Sequence, residues 1–182
     1  MVRAGSLPGY TLRGYQRPPG IFMHLKIIAT GGTIDKIYFD ANSEFEIGEP
    51  LIGKVLQDGG AAFDYEIIPL MRRDSLDLTE EDRKLIRDTV MADGSRHVLI
   101  THGTDTMTET AAALGDVGER TVILTGALSP ARFQITDAVF NVGLAVGAVQ
   151  SKPPGVYIAM NGRIFDADKV HKNRERNCFE EI

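Results

Sequence analysis

From Leu25 onward, short apolar runs alternate with longer segments whose apolar residues recur at helical spacing. The runs 25–30, 65–70, 98–101, 121–125 and 155–160 are brief and mostly apolar, as strands buried on both faces should be. Between them, Thr79 precedes Glu80, Glu81 and Asp82, acids suited to a helix N-terminus, and Leu85, Ile86, Thr89 and Val90 continue on one face. Weaker helical patterns cover 49–57, 106–114 and 135–150. The segments 40–49 and 166–182 read as a polar loop and a polar tail, and no internal repeat interrupts the alternation.

Strands alternating with helices predict an α/β fold: a Rossmann-like open parallel sheet with helices on both faces, in a single domain over residues 23–182. Residues 1–22 hold four glycines and three prolines and no continuous apolar stretch. They read as a flexible leader, or as a misassigned start upstream of Met23. In an open parallel sheet the loops leaving the strand C-termini gather on one edge, where ligands bind. Gly31, Gly32 and Thr33 follow the first strand, Arg73, Asp74 and Ser75 the second, and His102 to Thr106 the third, with Gly126 and Asn161 after the last two. The unusual residues therefore converge on one edge.

Three of these clusters carry chemistry. In Thr30-Gly31-Gly32-Thr33-Ile34 the glycines let the backbone turn sharply and approach a ligand while presenting the Thr33 hydroxyl; the plainer reading is a tight turn with a solvated threonine. In Thr101-His102-Gly103-Thr104-Asp105-Thr106 a hydroxyl and a carboxylate stand together at a strand-to-helix junction. There Asp105 either caps the helix or holds the ammonium of a zwitterionic substrate. Arg73-Asp74-Ser75-Leu76-Asp77 reads in isolation as a solvated loop, but its place at the same edge makes Ser75 a partner for a substrate carboxylate.

Composition narrows the field. A net charge of -5 disfavours nucleic acid and anionic membranes and favours a small neutral or zwitterionic partner. No apolar run is long enough to span a bilayer. The lone Cys178 excludes an intrachain disulfide and points to a reducing, cytoplasmic setting. His24, His97, His102 and His171 lack metal-ligand spacing, so no metal and no cofactor are expected. Neither GxSxG, GxGxxG nor a P-loop occurs, so a hydroxyl nucleophile needs an activator other than a Ser-His-Asp triad.

The pair Ala29-Thr30-Gly31-Gly32-Thr33-Ile34 and Thr101-His102-Gly103-Thr104-Asp105-Thr106-Met107 closely resembles the two signatures of bacterial-type L-asparaginases. Asp74-Ser75-Leu76-Asp77-Leu78-Thr79, Thr125-Gly126-Ala127-Leu128-Ser129-Pro130 and Met160-Asn161-Gly162 agree, so the resemblance runs from Leu25 to about Asn173. It implies hydrolysis of asparagine to aspartate and ammonia, with weaker action on glutamine. Thr33 would be the nucleophile, with Thr104, Asp105 and Lys172 the second catalytic group: neutral Lys172 takes a proton, Asp105 orients it, and Thr104 polarises the amide or activates water. Ser75 would bind the substrate carboxylate, with Gly32, Gly103 and Asp74 lining the substrate, and Asp105 would also hold the α-amino group. Tyr38, the tyrosine in the loop after the first motif, would assist Thr33 from a lid over 35–49.

Members of that family typically carry a second, C-terminal domain that completes the neighbouring subunit's site. Glu44, Glu46, Glu49, Glu180 and Glu181 are candidates for the contacts to the substrate amino group that it would supply. The resemblance implies a homo-oligomer, a dimer or a tetramer. Two other readings stay open: a binding module that keeps the amino-acid pocket without turnover, and a doubly wound nucleotide-binding domain.

Overall fold

The computed structural model describes residues 23–39 and 44–182; the expected leader lies outside the described residues. Strand β1 (His24–Gly31) is buried along nearly its whole length. On one side it pairs in parallel with β4 (Asp64–Arg73), and on the other with β5 (His97–Thr101). Strands β6 (Thr121–Thr125) and β7 (Gly155–Met160) extend the parallel sheet, and β8 (Arg163–Asp166) closes it antiparallel, in the order β4-β1-β5-β6-β7-β8. All five expected strands are present. The antiparallel edge strand was not anticipated; β7 turns into it through Asn161 and Gly162, both at positive φ, the pairing that tight hairpin turns favour.

Side chains alternate across the sheet. Ile28, Val98, Ile100, Val122 and Leu124 face α2 (Glu80–Met91) and α3 (Met107–Leu114). Leu25, Ile27, Leu99 and Ile123 face α1 (Ile52–Asp58) and α4 (Ala138–Ser151). Helices therefore cover both faces, as expected. Thr79 caps α2 in a reciprocal box with Asp82, satisfying two of the orphan N–H groups that every helix start exposes. On β1, Lys26 is 1% exposed and reaches the end of α2, where Thr89 O accepts at 2.6 Å and Asp93 pairs at 3.0 Å. That contact matches a buried cation to the negative pole of a helix.

Two expectations fail. The segment 40–49 is not simply a polar loop: β2 (Lys36–Phe39) and β3 (Glu44–Ile47) pair antiparallel, Tyr38 opposite Phe45. Nor is 166–182 a polar tail. A 3₁₀ turn (Ala167–Lys169) leads into a hairpin of β9 (Val170–Asn173) and β10 (Cys178–Glu181). Burial explains the second result: Val170 and Phe179 enter the apolar core beside α3, and Asn161 Oδ1 accepts the Phe179 N–H at 3.0 Å. Apart from Lys172, the charged residues that suggested a tail lie mainly in the turn and on the outer face.

Residues paired across β1, β5 and β6 place Ala29 level with Thr101 and Thr101 level with Thr125, so three strand ends open on one edge. The chain runs outward from β1 to β4, then crosses back to β5 on the other side of β1. The order thus reverses between β1 and β5, the position where open α/β sheets form their ligand crevice. No helix among the described residues is long and apolar enough to cross a membrane.

Candidate active site

The two strands that flank the reversal point carry the two threonine motifs. At the end of β1, Gly31 and Gly32 take φ of 98° and 85°, and a 3₁₀ turn (Thr33–Asp35) follows. Those angles suit glycine, and space demands it too: a Cβ on Gly32 would lie 2.4 Å from Gly103 Cα. A Cβ on Gly103 would in turn lie 2.5 Å from Ser75 Oγ. The loop after β1 is therefore stacked on the backbone of the loop after β5, which in turn packs on the Ser75 side chain after β4, and this close approach brings Thr33, Thr104 and Ser75 together. Thr33 is half-buried, and among the described residues its hydroxyl makes no hydrogen bond.

The second group is assembled from residues more than sixty positions apart in the chain. Lys172, on β9, has a side chain only 7% exposed. Its Nζ donates to Thr104 Oγ1 at 2.8 Å and to Asp105 Oδ1 at 2.6 Å. Thr104 is itself buried, so its hydroxyl is held against Lys172 Nζ. The β9–β10 hairpin fixes Lys172 by pairing it with core-anchored Phe179.

Ser75 follows β4 in a 3₁₀ turn (Ser75–Asp77); its carbonyl accepts from Thr106 Oγ1 at 2.7 Å, but its own Oγ is buried with no partner among the described residues. A buried hydroxyl left unpaired costs free energy until a ligand supplies a partner. Asp74 is differently placed. Its carboxylate pairs with Lys36 at 2.9 Å and accepts from Leu76 N. Partial burial pushes that carboxyl up, but the Lys36 ammonium and the Leu76 and Ser75 N–H groups outweigh it, holding it below the usual range. Tyr38 lies on β2, with its side chain outside the described residues.

Of the candidates for an amino group, Glu49 pairs with Arg72, Glu180 with Arg176 and Glu181 with Arg163. Glu46 instead lines an open cavity of about 500 Å³ with Lys36, Arg73, Asp74 and Asp77; the Glu44 side chain lies outside the described residues. His102 is fully buried, which pushes its imidazole down to about 4 despite help from the Gly103 carbonyl. That carbonyl, 2.7 Å from Nδ1, assigns the proton to Nδ1 and leaves Nε2 to accept from Thr110 at 2.8 Å. His102 is a neutral packing residue. Among the described residues no cluster of histidine, cysteine and carboxylate side chains is arranged to hold a metal.

Sequence reasoning passed over Asp35. It sits two residues after Thr33, 1% exposed, with Oδ1 accepting from Leu51 N at 2.8 Å and Oδ2 without a partner among the described residues. Burial raises its carboxyl from the ordinary 3.8 to about 6, against the smaller opposing effect of the Leu51 N–H. Because the folded state binds this proton more tightly, Asp35 contributes stability that is complete below about pH 4 and is lost as pH rises through about 6. The loss should reach about 3 kcal/mol. Urea unfolding of the parent and Asp35→Asn between pH 4 and 7.5 is expected to show the parent losing stability relative to the variant by that amount; the comparison cancels the opposite pH dependence that the depressed His102 imparts to both.

The profile of the family described as Asparaginase, N-terminal, matches residues 24–182. The chain belongs to the asparaginase family. L-asparaginase from Thermococcus kodakarensis is 31% identical over 172 residues, covering 88% of this chain and 51% of that protein. The solved structure of the thermostable enzyme from that organism superposes with a TM-score of 0.78 at 27% identity, covering 88% of this chain and 51% of its own. L-asparaginase I from Vibrio cholerae gives a TM-score of 0.77 at 26% identity, covering 88% and 52%. The glutaminase-asparaginase of Acinetobacter glutaminasificans is 37% identical over 92 residues, covering 48% of this chain and 28% of that protein. This asparaginase-family chain spans about half the length of the L-asparaginases it matches.

Proposed function

We propose that this chain hydrolyses L-asparagine to L-aspartate and ammonia, with weaker action on glutamine, using Thr33 as nucleophile. The observation that carries the reading is the buried Lys172 Nζ, 2.8 Å from Thr104 Oγ1 and 2.6 Å from Asp105 Oδ1, with the loop of Thr104 and Asp105 packed against the one that presents Thr33.

In this reading Thr33 Oγ attacks the side-chain carbonyl carbon while its proton passes through the Thr104 hydroxyl to a neutral Lys172. Lys172 returns that proton to the amide nitrogen, which leaves as ammonia, and the aspartyl group remains as an ester of Thr33. Water then attacks the ester carbonyl, giving a proton to the same relay, and the relay restores the Thr33 hydroxyl as aspartate departs. Asp105 orients Lys172, Ser75 Oγ meets the substrate α-carboxylate, and Gly32 and Gly103 keep the backbone close to the substrate. Asp74 acts through Lys36, and Tyr38 assists from the β2–β3 hairpin. Hydroxyls and an amine supply all the chemistry, so no cofactor is invoked. The reading also includes a cytoplasmic homo-oligomer, a dimer or a tetramer; exposed apolar Ile135, Val139 and Phe140 support self-association.

The relatives are about twice as long, and that observation favours one alternative, a module that binds the amino acid without turning it over. Ammonia release from asparagine and glutamine, with aspartate titrated by calorimetry on the same sample, separates the two. Turnover of asparagine ahead of glutamine is expected. Aspartate binding without ammonia from either amide would establish the binding module instead.

A further inference from the structure

The turn that presents Thr33 is held on three sides. Ile34 O accepts from Ala131 N at 3.0 Å, Asp35 O from Gly48 N at 2.9 Å, and Asp35 Oδ1 from Leu51 N at 2.8 Å. The β2–β3 hairpin leaves the sheet edge immediately after Asp35 and returns at Gly48, so one residue closes its base with both its carbonyl and its side chain. The charged groups on the hairpin's described flanks are directed elsewhere. Lys36 is turned to Asp74, Glu49 to Arg72 and Lys54 of α1 to Asp58. Glu46 of β3 and Arg132, beyond the Ala131 contact, line separate surface cavities.

We propose that Asp35 is a positioning residue: its carbonyl and carboxyl clamp the returning end of the hairpin to the turn that presents Thr33, tying the base of the hairpin to the alignment of the nucleophile. The inference rests on the assignment of Thr33 as nucleophile. It adds to that assignment a residue that touches no substrate and acts through the backbone. The neutral carboxyl suits this buried position. Its ionised form keeps only the Leu51 N–H and is drawn toward water, so the clamp grips more firmly below pH 6 than above it.

Hydrogen exchange of the amides in 36–39 and 44–47, corrected for intrinsic rate, measures the clamp without reference to activity. In the parent, protection is expected to be about tenfold or more higher at pH 5 than at pH 7.5. Asp35→Asn, which keeps the acceptor for Leu51 N, should be protected equally at both pH values, and Asp35→Ala poorly at both. On asparagine, Asp35→Ala should lower kcat about tenfold or more with KM moved much less, and Asp35→Asn should restore kcat while flattening the kcat/KM profile near pH 6. Protection in the parent that does not change with pH, or equal kcat in the parent and Asp35→Ala, would overturn the proposal. If Thr33→Ala still turns over while the Asp35-dependent protection is seen, the clamp stands and the nucleophile assignment is what fails.

Discussion

Thr33→Ala is expected to lower kcat for asparagine on the order of 10⁴-fold or more while leaving the fold intact. Chemistry and structure are separable at this position. The Thr33 hydroxyl makes no hydrogen bond among the described residues, and the residue is half-buried, so its removal breaks no contact that holds the turn. The turn itself is fixed by main-chain bonds from Gly32, Asp35 and Ala131, none of which involves the side chain. Unfolding free energy should therefore move by no more than about 0.5 kcal/mol, the range of substitutions that disturb no buried interaction. Aspartate affinity should also survive, because Ser75 and Asp105 remain.

Lys172→Met should lower kcat about 10²–10⁴-fold, the range for removing a positioned acid–base group. Methionine keeps the apolar stem but not the nitrogen that bridges Thr104 and Asp105. The stability cost is expected to be modest. Asp105 is 38% exposed, so its carboxylate is rehydrated once its partner is gone, unlike a fully buried charge. Steady-state kinetics with thermal unfolding on the same samples tests this: a large fall in kcat with little change in melting marks a chemical role, and equal falls in both would mark a structural one.

The core elements were legible because their patterns are local. Buried strands and the Thr79–Asp82 cap announce themselves within a few residues, and the topology rule for strand ends then gathers Thr33, Ser75 and Thr104 on one edge. The hairpins were missed for different reasons. Glu44-Phe45-Glu46-Ile47 does alternate polar and apolar, but the surrounding acids masked a strand period only four residues long. At the chain end, Val170 and Phe179 are the main apolar anchors among many charges, and Phe179 is tied down through Asn161, 18 residues earlier. Lys172 was legible only through the family resemblance, because nothing local distinguishes it from a solvated lysine. Asp35 had no signal at all: a lone acid after a strand looks exposed, and only the packing of residues 48–51 and Ala131 over the turn buries it.

The central claim is that Thr33 carries the acyl group. The most direct measurement is mass spectrometry of the parent protein quenched in acid during turnover of asparagine, with the peptide that carries Thr33 sequenced. The expected result is a mass increase of one aspartyl group on that residue, absent in Thr33→Ala. Steady ammonia release with no such adduct, in the parent and in the slowed Lys172→Met variant alike, or an adduct on another residue, would contradict it.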